Sequence, residues 1–293
     1  MESRSIGKTS NPVDPFDLDE LVRLASKLPP LPQIAQRALL LIRDPDSNMS
    51  DIADVLAMDQ VMTSLILRWA NSSYYSLRSP LTTVRQAVSY LGQNMVQSLV
   101  LTASVATYFT PPVIGYGLDR GELWKHSISV ATIARFFGTR IGRNEAEESY
   151  HAGLLCDIGK LVFDQALRAV NTTPVDASQS FDDLEVSLFG IDHATMGAIV
   201  AKTWKLPQVL ITPIACHHQP NKAQEHRRIT SAVHLADVFV NMMGIGIGKD
   251  GLQYRIDPVA MDELHIHPED IPDLYDRATP LILQAEEMVK MNL

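Results

Sequence analysis

Apolar residues recur at helical spacing along most of this chain, and that periodicity restricts the fold more than any other feature. One such stripe contains Ile34, Ala38, Leu41 and Ile42, and similar stripes follow in later segments. Residues three and four apart share one face of an α-helix, whereas a half-buried strand alternates apolar and polar residues with a period of two. No stretch of the 293 residues alternates convincingly with period two. The sequence therefore predicts an all-α fold.

Two features predict how the helices are grouped. The first 15 residues are polar and contain proline, with little to bury, which is typical of a disordered lead-in. Thr110–Gly117 holds two prolines and two glycines and is the clearest interior break, so it predicts a seam between two lobes. The predicted organisation is a lead-in over 1–15, an N-terminal helical lobe over 16–110, a second lobe over 118–243 and a loop with a C-terminal helical extension over 244–293.

Composition narrows the class of protein. The formal net charge of -9 argues against binding to a nucleic-acid backbone, which normally requires a basic patch. The two cysteines are too few for a disulfide scaffold and fit a reducing compartment. No uncharged apolar run approaches the roughly 18 residues of a membrane span, and the first residues do not resemble a signal peptide. We therefore expect a cytoplasmic protein with no membrane segment.

The stretch His151–Lys160 places an acid, Asp157, directly after the apolar run Leu154-Leu155-Cys156. A carboxylate beside such a run is costly to bury unless it is paired or bound to a cation. Gly159 predicts that the helix ends or loosens here, and Lys160 lies about one turn from the acid. Other residues able to serve this carboxylate are distant in sequence: Glu122, His126, His193, His217, His218 and Asp237.

The spacing of these residues allows a metal site. Glu122 and His126 are four apart and share a helix face, while His217 and His218 are adjacent where a helix ends. An all-α protein that gathers histidines and acids from several helices can build a mono- or dinuclear hydrolytic site for Fe, Mn or Mg. A single histidine on a helix is more often a hydrogen-bonded structural residue, so the hypothesis depends on the whole set.

The order of these motifs resembles a known family. The HD phosphohydrolase superfamily shows the same succession: Glu122-x-x-x-His126, Cys156-Asp157-Ile158-Gly159-Lys160, His193, His217-His218 and Asp237. Further motifs resemble the HDOD domain, an HD-related output domain of bacterial signalling proteins: Leu28-Pro29-Pro30-Leu31-Pro32, Asp44-Pro45, Trp69-Ala70-Asn71-Ser72, Leu91-Gly92, Ala152-Gly153-Leu154-Leu155, Trp204-Lys205-Leu206-Pro207 and His217-His218. The resemblance covers residues 18 to 240. It implies an N-terminal helical lobe packed on a degenerate HD-type helical bundle.

The departures from the HD pattern bear on function. Cys156 stands where the superfamily has the histidine that gives it its name, and the Gly-Tyr-Pro loop of the cyclic di-GMP hydrolases is absent. A thiolate is a softer ligand than imidazole and suits a site of carboxylates and imidazoles poorly. The resemblance therefore implies a non-catalytic module of bacterial signal transduction that acts by binding a signalling protein partner or a small ligand.

Two alternatives remain open. In the first, the chain is a metal-dependent phosphohydrolase or phosphodiesterase acting on cyclic dinucleotides or nucleotides, with Asp157 and Lys160 in the reaction. In the second, it is a sensor that binds a nucleotide or metal ion in the vestigial site. The metal ligands implied by the resemblance are His126, Cys156, Asp157, His193, His217, His218 and Asp237, with Glu122 nearby. Without a metal, these side chains would hydrogen-bond one another.

Overall fold

The structure is a computed structural model that describes residues 18–44, 46–72, 77–170, 180–248 and 255–290. These residues contain α-helices, short 3₁₀ turns and one isolated bridge between Val113 and Leu118, and no β-strand occurs among them. The prediction of an all-α fold is confirmed. The predicted lead-in, residues 1–15, lies outside the described residues.

Six α-helices of the described residues precede the predicted seam. They are α1 (Leu18–Ala25), α2 (Gln33–Arg43), α3 (Met49–Leu56), α4 (Gln60–Ala70), α5 (Val84–Leu91) and α6 (Gln93–Phe109). Their starts follow from side-chain caps. Asn48 and Asp51 form a reciprocal capping box at α3, and Thr83 and Gln86 form another at α5. Each box satisfies backbone N–H groups that the first turn of a helix leaves without partners.

Nine α-helices follow the seam in the part of the chain that the structure describes. They are α7 (Glu122–Gly138), α8 (Arg143–Leu155), α9 (Ile158–Val170), α10 (Phe181–Phe189), α11 (His193–Thr203), α12 (Gln208–Cys216), α13 (Arg227–Met242), α14 (Pro258–Glu263) and α15 (Ile271–Lys290). Helix α7 is the centre of this part. It packs against α8, α13 and α15, and its residues from Leu123 to Gly138 are mostly buried.

The hydrophobic core continues across the predicted seam. Trp69 of α4 stacks on Trp124 of α7 with ring centroids 6.2 Å apart, and both side chains are completely buried. Phe109, the last residue of α6, packs on the same Trp124 ring at 6.4 Å. The two groups of helices therefore share one apolar cluster. A second cluster lies between α7, α13 and the C-terminal helices.

The sequence predicts that a helix ends or loosens at Gly159, but the break lies two residues earlier, at Cys156 and Asp157. Helix α8 ends at Leu155 and α9 begins at Ile158, so Gly159 lies inside α9. Its lack of a side chain serves packing instead, because a Cβ atom there would lie 2.0 Å from the carbonyl oxygen of His193. Glycine thus lets α9 approach the start of α11 closely, as only a residue without Cβ allows.

Among the described residues, no single helix is both long and apolar enough to cross a membrane. The bent pair Phe181–Phe189 and His193–Thr203, at 69°, passes the same test together by length and composition alone.

Candidate functional site

Six of the predicted ligand residues converge in one buried cluster. They come from five elements: His126 from α7, Asp157 from the turn between α8 and α9, His193 from the start of α11, His217 and His218 from the end of α12, and Asp237 from α13. The packing of these five elements brings the side chains together, although up to 111 residues separate them in sequence. Only His218 is more than 3% exposed, at 11%.

His126 lies between the two carboxylates. Its Nε2 atom is 3.0 Å from Asp237 Oδ1 and 3.4 Å from Asp157 Oδ2. Its Nδ1 atom donates to the backbone carbonyl of Ile245 at 2.9 Å, since a carbonyl oxygen can only accept. This hydrogen bond fixes the ring so that Nε2 faces the acids. Burial lowers the pKa of His126, but the hydrogen bond to Asp237 and the charge of Asp157 outweigh burial and hold it above its usual value.

Asp157 has cationic or imidazole groups on both of its oxygens. Lys160 Nζ lies 3.0 Å from Oδ2, and His193 Nε2 lies 3.2 Å from Oδ1. Burial raises the pKa of Asp157, but the charge of Lys160 and the groups of His193 and His126 outweigh burial, so this pKa lies well below its usual value. The carboxylate is therefore ionised at neutral pH although it is 1% exposed.

Three histidines line the other side of Asp157. His193 Nε2 and His218 Nε2 are 3.0 Å apart, and the rings of His217 and His218 lie 3.9 Å apart. Burial lowers the pKa of His217 and of His218, and for His218 the neighbouring His217 lowers it further, so both rings are neutral at pH 7. His217 Nδ1 donates to the carbonyl of Ile214 at 2.9 Å, which turns its Nε2 lone pair into the cluster.

Glu185 is a buried acid that the sequence interpretation missed. It accepts hydrogen bonds from the Tyr116 hydroxyl, at 2.6 Å, and from the backbone N–H of His193, and its Oε2 is 2.9 Å from His193 Nδ1. Burial lowers the pKa of His193, but Glu185 raises it more, so it lies well above its usual value. Asp182, one turn earlier on α10, lies 3.3 Å from the same Nδ1, and burial raises its pKa to about 7. The only sequence signal was the three-residue spacing of these acids just before His193.

His234 supports the cluster from outside. Its Nδ1 donates to the carbonyl of His217 at 2.7 Å, and its Nε2 accepts from the backbone N–H of Asp257 at 2.9 Å. Both ring nitrogens are thus engaged, which fixes a neutral tautomer. His234 therefore holds the end of α12 and does not contribute a lone pair to the site.

Two of the predicted residues are engaged elsewhere. The Cys156 sulfur lies within 4.8 Å of ligand atoms of Asp157 and His217, but its thiol donates to the carbonyl of Gly153 at 3.2 Å. Burial, followed by the charge of Asp157, raises the pKa of this thiol well above its usual value. The Glu122 carboxylate accepts from the backbone N–H of Asp119 at 2.6 Å, in the turn that starts α7.

The donor set fits a divalent cation. Asp237 Oδ2 and His217 Nε2 are buried acceptors without a hydrogen-bond partner, and ligand atoms of His193, His217 and His218 lie within 4.8 Å of one another. Buried acceptors without donors are costly and rare in folded proteins. Carboxylate and imidazole ligands suit Mn, Fe, Zn or Mg. Their role as ligands stays a prediction.

The comparisons with known proteins identify the family of this chain. The family model of the HDOD domain matches residues 28–220, about two thirds of the chain. The chain belongs to the HDOD family. It is 23% identical over 229 residues to an uncharacterized protein of Treponema pallidum (strain Nichols), and the match covers 75% of this chain but 44% of the relative. The chain thus spans less than half the length of that relative.

Solved structures show the same fold over nearly the whole chain. An HDOD domain protein of Geobacter sulfurreducens is 25% identical with a TM-score of 0.73, and the match covers 93% of this chain and 99% of that one. A Marinobacter aquaeolei VT8 protein, provisionally described as a signal transduction protein, is 24% identical with a TM-score of 0.74, covering 94% and 60%. A Shewanella amazonensis SB2B protein, provisionally described as a phosphohydrolase, is also 24% identical with a TM-score of 0.74, covering 93% and 98%. The last two likenesses show the fold alone.

Proposed function

We propose that this HDOD chain is a non-catalytic regulatory module of bacterial signal transduction. It acts in the cytoplasm by binding a signalling protein partner or a small ligand. The observation that carries the proposal is the state of Cys156. In place of the imidazole of the HD superfamily, this position offers a buried thiol that stays protonated and donates to the Gly153 carbonyl. A protonated thiol is a poor metal ligand, because the thiolate is the form that binds.

The charges in the pocket support the same proposal. His126 and His193, whose pKa values are raised, and the Lys160 amine face the carboxylates of Asp157, Asp237 and Glu185. The negative charges of these carboxylates are thus balanced by basic side chains of the same pocket, as a structural network of buried ion pairs requires. A hydrolase requires an open ligand position and access for substrate, whereas Asp157 and Asp237 are 1% and 3% exposed at their side chains.

A metal-dependent phosphohydrolase is the second candidate. It is favoured by His193, His217 and His218, whose ligand atoms lie within 4.8 Å of one another beside the Asp157 carboxylate and would hold the ion. A bound divalent ion would act there as a Lewis acid and lower the pKa of a bound water. The residues of the chain would orient the substrate, with Lys160 contacting a phosphate.

Turnover assays distinguish the two candidates. Wild-type protein would be incubated with cyclic di-GMP and with bis-p-nitrophenyl phosphate in Mn²⁺, Fe²⁺ or Mg²⁺, beside the variants Asp157→Asn and Asp183→Asn. Asp183 is an exposed acid of α10 outside the cluster and serves as the matched control. We expect all three proteins to remain at the rate of the buffer. Metal-dependent turnover that is lost in Asp157→Asn and kept in Asp183→Asn would overturn the proposal.

A further inference from the structure

We propose that Lys160 is the internal cation of this pocket and determines how tightly the pocket can hold a divalent metal ion. The inference rests on the proposed function and deepens it, because it names what regulates the occupancy of the same site. In this view the lysine and a metal ion compete for one carboxylate, that of Asp157.

Lys160 forms an ion pair with that carboxylate. Its Nζ atom is 3.0 Å from Asp157 Oδ2, with the lysine side chain 14% exposed and the aspartate 1% exposed. The interaction is local, because Lys160 lies in the first turn of α9, three residues after the acid. The ion pair therefore forms when this helical turn folds, and it requires no bound ligand.

The two oxygens of Asp157 have different neighbours. Oδ2 faces both Lys160 Nζ, at 3.0 Å, and His126 Nε2, at 3.4 Å. Oδ1 lies 3.2 Å from His193 Nε2 and 4.0 Å from His217 Nε2. Lys160 thus brings an ammonium to this carboxylate, whereas the histidines bring imidazoles that can themselves serve as metal ligands.

An ion held by Asp157 Oδ1 would share its carboxylate with the ammonium of Lys160. Two cations on one buried carboxylate repel each other, and this repulsion is larger in a protein interior than in water. A lysine ammonium also withdraws charge that the carboxylate would otherwise give to the metal. Lys160 therefore weakens binding of a divalent ion, and its displacement would be a condition of tight binding.

The surroundings of Lys160 allow such displacement. Lysine carries its ammonium on a flexible stem of four methylene groups, whereas arginine carries a rigid planar guanidinium. Nζ lies 5.9 Å from the centroid of the Tyr116 ring, which offers the ammonium a second, weaker position. Tyr116 itself donates to Glu185, the partner of His193. Movement of Lys160 toward Tyr116 would therefore affect Asp157 directly and His193 through Tyr116 and Glu185.

The test is the affinity of the purified chain for Mn²⁺, measured by isothermal titration calorimetry. The test variant is Lys160→Gln, which removes the charge and keeps a hydrogen-bond donor for Asp157. The matched control is Arg168→Gln on the same helix, since Arg168 forms an exposed ion pair with Asp164 away from the cluster. We expect Lys160→Gln to bind Mn²⁺ at least about tenfold more tightly than wild type, and Arg168→Gln to stay within about twofold. Equal or weaker binding by Lys160→Gln would overturn the inference.

A second readout covers the case in which Lys160→Gln folds poorly. Its thermal unfolding midpoint would be measured with and without Mn²⁺. We expect a larger Mn²⁺-induced rise than in wild type, since a ligand that binds only the folded state stabilises it by mass action. A variant that remains unfolded in Mn²⁺ would show that a metal ion cannot replace the ammonium, and would also overturn the inference.

The outcome is independent of turnover. If Mn²⁺ affinity does not depend on Lys160, the competition is refuted while a non-catalytic role can stand. If the wild-type protein hydrolyses a phosphodiester, the proposed function is refuted whatever the affinities are.

Discussion

The Nδ1 atom of His126 donates to the backbone carbonyl of Ile245 at 2.9 Å, which ties the central histidine of the cluster to the segment that follows α13. This hydrogen bond fixes the ring so that Nε2 faces Asp157 and Asp237. The next residue, Gly246, has φ +61°, and a Cβ atom there would lie 2.6 Å from His126 Cβ. The segment after α13 is thus part of the pocket, because it lies directly on the histidine.

Substitution of Gly246 by alanine should damage the pocket. We expect Gly246→Ala to lower the free energy of unfolding by about 3 kcal/mol or more, because a left-handed backbone and a close contact are penalised together. Gly244→Ala is the matched control, since Gly244 has φ +77° and the nearest atom to an added Cβ is Ile247 Cδ1, 3.8 Å away. That control should cost about 1–2 kcal/mol from backbone strain alone. Urea denaturation measures both, and equal losses would contradict the contact.

Stability should fall as the pH rises above neutrality. His126 and His193 have raised pKa values, so their contribution is complete below the unfolded value of about 6.5 and is lost as pH rises through the folded values. The lowered pKa of Asp157 already contributes in full above about pH 4. The Asp182 carboxyl, with its pKa raised to about 7, is about half protonated at pH 7 and adds to the same fall as it ionises. From pH 7 to 8.5 the free energy of unfolding should fall by up to about 1.4 kcal/mol per pH unit for each histidine that keeps its proton.

Glu185→Gln tests the cause of that pH dependence. Glu185 makes the largest contribution that raises the pKa of His193, so the variant should titrate His193 at lower pH and flatten the fall between pH 7 and 8.5. Urea denaturation at several pH values measures the slope, and histidine NMR signals measure the pKa. Asp183→Asn, an exposed acid on the same helix, should keep the wild-type slope. A slope unchanged in Glu185→Gln would show that another group is responsible.

Gly159 should tolerate no side chain. An alanine Cβ would lie 2.0 Å from the His193 carbonyl oxygen and 2.8 Å from the backbone nitrogen of Gly197, and neither backbone atom can move without separating α9 from α11. We expect Gly159→Ala to cost more than about 4 kcal/mol. Gly142→Ala is the control, because its close contact is with the flexible end of Glu145 and should cost about 0.5 kcal/mol or less. Chemical denaturation distinguishes them, and a mild effect at Gly159 would refute the close helix crossing.

Trp69 should couple the two groups of helices. Its ring is completely buried against Trp124, so Trp69→Ala should cost about 3–5 kcal/mol through a large cavity. Because the core is continuous, the wild-type protein should unfold in one transition observed by both circular dichroism and tryptophan fluorescence. Tyr90→Ala, at a site 62% exposed, should change stability by less than about 0.5 kcal/mol. Two separate wild-type transitions would indicate lobes that fold independently.

The sequence by itself determined the helical class and the order of the chemical groups. Helical periodicity is a local property, so stripes such as Ile34, Ala38, Leu41 and Ile42 predict helices without knowledge of packing. The order of His126, Asp157, His193, His217 and Asp237 also pointed to one cluster. The resemblance carried that step, because no local rule brings residues more than 100 positions apart into contact.

Tertiary structure alone decided what each of those groups does. Glu185 and Tyr116 joined the site although their spacing gave little sign of it, and Gly159 proved to be a point of helix contact instead of a helix end. Tertiary structure also decided which groups of the cluster are protonated. Burial and neighbouring charges set the pKa of a group, and both depend on which helices pack together. Sequence can name the imidazoles and acids, but only packing decides which are charged and which lone pairs remain without a donor.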